Sequence, residues 1–380
     1  MDAVGARWAG PLALGLLALV APTGAGPSGA TTVPVTPAFV PVPAASPVRD
    51  DFDGDGHPDL AIADSRATVG GRRGAGRVTV LYGGPGGDPS TAPARRAVVS
   101  RATAGVPGAP AAGEGFGTAI SRGDLDADGY ADLVVGTAGR GGAVILRGGP
   151  HGLSGAVPLP AATARAGDFD GDGLLDLALF RPGRGVAAGT VAAIWTGPVG
   201  RGGEPARVSA LDPGGLARVR VAGGASGDLD GDGRDDLALV VRAGAGPYRV
   251  HVYRSTTAGP VRTADHRGGP GLAVGDLDGD GYADLVAGSG RRAEIAHGSA
   301  AGVGPGSGWT TVRLGGAPVP SGRSGAGPDV TGPGVRLLDT DGDGCADLAA
   351  VPGGPAARHG GLRRLSGCRA GAVRTVAGGG

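Results

Sequence analysis

The chain has no lysine, so all 35 of its basic charges are arginine, and its formal net charge is zero. Proteins that grip nucleic acid carry a clustered basic excess. Here the arginines are scattered, and the sequence predicts no nucleic-acid partner. Glutamate is nearly absent as well: of 35 acidic residues only Glu114, Glu204 and Glu294 are not aspartate. A glutamate pair for glycoside chemistry is therefore barely available. Aromatic residues make up 3 % of the chain, which leaves little material for a dense core. No apolar run reaches the ~20 residues that a transmembrane helix needs. The longest, Pro11 to Val20, follows Arg7 and ends in small residues, so residues 1–30 read as a signal peptide and the protein as secreted, with no stable membrane span. Cysteine is limited to Cys345 and Cys368. In an exported protein such a pair predicts a disulfide that pins the C-terminal repeat.

Glycine is abundant, with 82 residues, and proline contributes 31. Without a period that composition would read as low complexity. Residues 31–48 are proline-rich and read as a linker or edge strand, with one folded domain over 49–380.

A period is present. The pattern DxDxDGxxDL occurs six times, beginning at Asp51, Asp124, Asp168, Asp228, Asp276 and Asp339. Such self-similarity marks a propeller, a solenoid or an array. Positions 1, 3, 5 and 9 of each loop are aspartates: Asp51, Asp53, Asp55 and Asp59; Asp124, Asp126, Asp128 and Asp132; Asp168, Asp170, Asp172 and Asp176. Next come Asp228, Asp230, Asp232 and Asp236; Asp276, Asp278, Asp280 and Asp284; and Asp339, Asp341, Asp343 and Asp347. Four carboxylates within nine residues repel one another unless a cation lies among them. Calcium suits this demand because it accepts 6 to 8 oxygen ligands in flexible geometry, and glycine at position 6 supplies the turn that lets the carboxylates converge. The sequence thus predicts up to six Ca²⁺ ions, with a structural role. Position 7 varies freely (His57, Tyr130, Leu174, Arg234, Tyr282, Cys345), as expected if only its carbonyl is used.

No glutamate stands at position 12 and the flanks lack helical period, so these are not helix-loop-helix sites. Short apolar runs follow the loops, such as Leu177 to Phe180 and Leu237 to Val241, and read as strands buried on both faces. Second strands follow, among them Arg77 to Tyr82, Thr190 to Thr196 and Tyr248 to Arg254. The fold class is all-β.

At these residues the sequence resembles the FG-GAP repeat family, to which the N-terminal propeller of integrin α subunits and the VCBS-repeat proteins belong. Phe116-Gly117 precedes the second loop, and Val135-Gly136-Thr137-Ala138 stands where the family has its Gly-Ala-Pro element. The other repeats keep the aspartate loop and largely lose those two elements. The resemblance spans about residues 48–370. It implies a β-propeller with four-stranded blades, calcium in loops on one face and ligand contacts on another. Six motifs favour six blades; seven are reached if the long first interval or the joined termini supply an unmarked one.

Six bound calcium ions would add twelve positive charges to a neutral chain, which makes an anionic glycan a candidate partner beside an extracellular protein. The implied role is adhesion or ligand capture by a monomer. The six histidines, His57, His151, His251, His266, His297 and His359, lie in different stretches with no nucleophile motif beside them, so the chain reads as non-enzymatic. The alternative is a polysaccharide lyase or hydrolase acting at a central channel. Arg122-Gly123-Asp124 spells an integrin-ligand tripeptide, but Asp124 opens a calcium loop. Trp309 is a candidate sugar platform; Trp195, inside an apolar strand, reads as core.

Overall fold

The computed structural model describes residues 50–85, 93–138, 141–183, 189–289, 292–303 and 308–313, with the backbone of four later strands between 334 and 376. The expected signal peptide, the 31–48 stretch, Asp339, Asp341, Asp343, Cys345, Cys368 and His359 lie outside the described residues.

The strands form antiparallel sheets in chain order. The first holds β1 (Leu60–Asp64), β2 (Arg77–Tyr82) and β3 (Arg95–Val99). The second holds β4 (Ile120–Gly123), β5 (Asp132–Val135), β6 (Val144–Arg147) and β7 (Ser154–Pro158). The third holds β8 (Thr163–Gly167), β9 (Asp176–Pro182), β10 (Thr190–Thr196) and β11 (Arg207–Ala210). After the single helical turn α1 (Pro213–Leu216), the fourth holds β12 (Arg220–Gly227), β13 (Asp236–Arg242), β14 (Tyr248–Arg254) and β15 (Val261–Arg267). The fifth holds β16 (Gly271–Gly275), β17 (Asp284–Ser289), β18 (Arg292–Ala296) and β19 (Trp309–Arg313). The last holds β20 (Gly334–Leu338), β21 (Asp347–Val351), β22 (Arg363–Leu365) and β23 (Thr375–Val376).

The leading strands β4, β8, β12, β16 and β20 lie successively side by side, as the inner strands of propeller blades do. The all-β propeller with four-stranded antiparallel blades is therefore correct, but the blade number is not. Among the described residues five blades have four strands, rather than the six or seven expected, and the first sheet has three. The aspartate motif marks the turn into a blade's second strand; it does not report whether a strand upstream pairs with it. In the first repeat that position falls before Asp50, outside the described residues.

The apolar runs after the second, third and fourth loops are buried on both faces, as in β5 and in β13 from Asp236 to Val241, whereas in β1 only Ala61 is buried and Ile62 is exposed. Successive sheets are sealed by the residue at loop position 2. Phe52, Leu125, Phe169, Leu229 and Leu277 are all buried, and each of the first four joins an apolar cluster that draws on its own sheet and the next. Phe169, for example, packs with Phe180 and Ile194 of its own blade and with Leu237, Leu239 and Tyr253 of the following one. The loops are thereby anchored by burial that is worth ~1.5–3 kcal/mol per large apolar side chain.

Candidate functional site

Four described loops join a blade's first strand to its second and the first loop leads into β1, so each of the five stands at the start of the strand that follows it. Local hydrogen bonding follows one plan. The position 1 carboxylate closes the turn: Asp168 Oδ1 accepts from Gly171 N–H at 2.7 Å and Oδ2 from Gly173 N–H at 2.9 Å. Asp51, Asp228 and Asp276 accept in the same way from the residues at positions 4 and 6. Those amides can converge because the residues there take positive φ, +72° at Gly54 and +84° at Gly56. Only the second loop has a non-glycine at position 4, Ala127, held at φ +58°. Its Asp124 accepts instead from Asp128 and Gly129.

Position 5 accepts the N–H of position 7, as Asp55 does from His57 and Asp172 from Leu174, both at 2.9 Å. Position 9 ties the loop to the far side of the sheet. Asp176 Oδ2 accepts from Phe169 N–H at 2.9 Å and Oδ1 from Gly197 N–H at 2.7 Å; Asp59, Asp132 and Asp284 make the equivalent pair of bonds, and Asp236 accepts from Ser255. Burial pushes these carboxyls up, to about 6 at Asp59, Asp132 and Asp176 and about 7 at Asp236, against the opposing effect of the backbone donors. Asp284 is shifted in the same direction for the same reason.

Backbone amides therefore meet much of the charge that the sequence alone left uncompensated. Position 3 is the exception. Asp53 Oδ1, both oxygens of Asp126 and Asp170 Oδ1 are buried without a hydrogen-bond partner. Asp230 is wholly buried, and its Oδ2 has the Arg254 guanidinium beside it. A basic side chain from later in the chain approaches this position in every described loop. Arg147, Arg254 and His297 come from the residue just before the amide that caps position 9, whereas Arg95 and Arg207 come from outer strands. In the fifth loop the approaching group is shared, since His297 Nδ1 lies 3.1 Å from Asp278 Oδ2 and 3.2 Å from Asp284 Oδ1.

In each described loop three side-chain atoms that can bind a metal lie within 4.8 Å of one another: Asp51, Asp53 and Asp59; Asp124, Asp126 and Asp128; Asp168, Asp170 and Asp176; Asp228, Asp230 and Asp232; Asp278, Asp284 and His297. An all-oxygen set of this kind, with position 3 oxygens that no hydrogen bond satisfies, fits a hard cation such as calcium. The fifth cluster differs by its imidazole. Asp347 opens β21, and its three partners lie outside the described residues.

Two features escaped sequence reasoning. Position 7 is not free: the Tyr130 ring lies over Gly54 of the preceding loop, Arg234 over Gly171 and Tyr282 over Gly231. A Cβ on Gly54 would sit 2.5 Å from a Tyr130 ring carbon. The loops are also stitched through the backbone, since Ala131, Asp235 and Ala283 at position 8 donate to the position 1 carbonyls of Asp51, Asp168 and Asp228. The only sequence signal was the pairing of glycine at position 4 with a long side chain at position 7 one repeat later.

Arg122 of the tripeptide pairs with Asp50, and Asp124 is engaged within its turn. Trp195 packs on the core between the second and third blades. Trp309 is stacked on His266 at 3.9 Å between ring centres, and His266 in turn lies 3.2 Å from Glu294. His251 is buried beside Tyr253.

Family comparison finds FG-GAP-like repeats at residues 116–179 and 228–287 and an FG-GAP repeat at residues 44–81. The chain carries FG-GAP repeats, as the aspartate loops and Phe116-Gly117 imply. Among solved structures, a lectin of Agrocybe aegerita reported for specific recognition of non-reducing terminal N-acetylglucosamine is similar at a TM-score of 0.42 and 16 % identity, over 82 % of this chain and 81 % of that one.

Proposed function

We propose that this FG-GAP repeat chain is an exported calcium-binding propeller that works as an adhesion or ligand-binding module rather than an enzyme. The observation that carries the calcium assignment is the set of position 3 carboxylate oxygens buried without a hydrogen bond: Oδ1 of Asp53, both oxygens of Asp126 and Oδ1 of Asp170. Desolvating a carboxylate is costly, and a bound cation offsets that cost. Positions 1, 5 and 9 keep a free lone pair on oxygens that already accept an amide, so they can ligate without releasing the turn.

Calcium here serves the scaffold. Its ligands also organise the turns and connect neighbouring sheets, so filling them stiffens the ring of loops. Binding to the folded state alone stabilises by about 2.7 kcal/mol per site at a hundredfold excess over Kd. The test is a melt of the full chain in calcium and after chelation at matched ionic strength, beside a calcium titration. A sharp fall in melting temperature on chelation is expected; an unchanged melt would remove the assignment. Support for export is the apolar run Pro11 to Val20 with its small-residue flank.

A further inference from the structure

At the strand ends opposite the aspartate loops lies a cavity of about 530 Å³, within the usual size range of small-molecule sites. Three blades build it. Arg181 stands near the far end of β9, Arg242 at the far end of β13, and Arg220 at the start of β12. No described residue that lines the cavity is acidic.

We propose that this cavity binds a carboxylate-bearing sugar unit, which deepens the ligand-binding reading above and rests on it. Arg220 and Arg242 are direct cross-strand partners, and like charges at such positions repel. Arg242 is fixed in place: Nε donates to Gly246 O at 2.7 Å, Nη2 to Ala245 O at 3.0 Å, and the guanidinium lies 5.1 Å from the centre of the Tyr248 ring. Among the described residues the side chains of Arg181 and Arg220 have no acidic partner, and both residues are exposed. An anion between these arginines relieves the repulsion, and the guanidinium fork matches the two oxygens of a carboxylate.

A second, independent observation points to a polar ligand. Thr137 lines the cavity and is almost wholly buried, yet its Oγ1 has no hydrogen-bond partner. A buried hydroxyl without a partner is costly, and a ligand hydroxyl would satisfy it. Thr118 and Thr163 bring further hydroxyls to the wall, and Phe180 and Tyr248 bring apolar and aromatic surface. Guanidinium groups, hydroxyls and an aromatic ring together suit an acidic sugar better than inorganic phosphate, which needs no apolar wall.

The experiment is calorimetric titration of the calcium-loaded full chain with three probes: a glucuronate-containing tetrasaccharide, its carboxyl-reduced counterpart and inorganic phosphate. The uronate should bind at one site, and carboxyl reduction should weaken binding at least about tenfold. Arg181→Gln and Arg220→Gln should each cost about tenfold, and Thr137→Val a smaller factor, with the calcium-dependent melt unchanged. Equal binding of the carboxyl-reduced sugar, tighter binding of phosphate, parent-like affinity in both arginine variants, or no binding at all overturns the proposal. Uronate binding that persists while the melt ignores calcium upholds this site and removes the calcium assignment alone.

Discussion

Arg147 Nη1 donates to Asp132 Oδ2 at 2.6 Å, and both side chains are buried at the base of the second loop. The same guanidinium donates to the carbonyls of Val199 and Gly200 in the next blade and stands 3.9 Å from Asp126. It is a fixed internal cation at the position where a metal would neutralise the loop. Arg254 and Arg207, which approach the fourth and third loops, are more exposed and can swing away.

Arg147→Met should therefore cost about 3–5 kcal/mol in calcium-free buffer, because it leaves two buried carboxylates uncompensated. Calcium should restore much of the loss. Denaturant unfolding with and without calcium reads both effects; a loss that calcium does not reduce would show that Arg147 serves packing alone.

Positions 3 and 9 should separate metal binding from backbone support. Asp170→Asn removes an orphaned ligand and should lower calcium stoichiometry by one while barely moving the calcium-free melt. Asp176→Ala strands the buried amides of Phe169 and Gly197, at about 1–3 kcal/mol each, and should destabilise the chain in either buffer.

The position 9 carboxyls give a pH signature. Unfolded aspartate titrates near 3.9. In the fold, burial pushes Asp59, Asp132 and Asp176 to about 6 and Asp236 to about 7. The calcium-free fold thus holds protons that the unfolded chain releases, so its stability is full below pH ~4 and is lost as pH rises through 6 to 7. Melting temperature without calcium should fall from pH 5 to 7.5. Calcium binds the ionised form, so the loaded protein should not follow that trend. A calcium-free melt that is flat or rising over this window would contradict the burial of these groups.

Two turn substitutions should act in opposite directions. Gly54→Ala puts a side chain at φ +72° and against the Tyr130 ring, so it should destabilise by at least ~1–2 kcal/mol. Ala127→Gly relieves a side chain at φ +58° and should stabilise by up to ~1 kcal/mol. Thermal melts in calcium decide both.

The sequence by itself determined whatever depends on spacing along the chain. The turn amides of Gly171 and Gly173 lie within five residues of Asp168, so the Asp-Gly pattern defines the loop wherever it occurs. The apolar strand that follows is equally local, and the all-β class follows from its repetition. Tertiary structure decided what depends on pairing between distant residues. Blade number rests on a strand upstream of each loop, which no motif marks. The packing of Tyr130 on Gly54 spans two repeats, as does the reach of Arg147 to the Val199 carbonyl. The arginine-lined cavity gathers Thr137, Arg181, Arg220 and Arg242 from three blades. Their separation in the chain hides that convergence, because only the closing of the sheets around a common axis brings the far strand ends together.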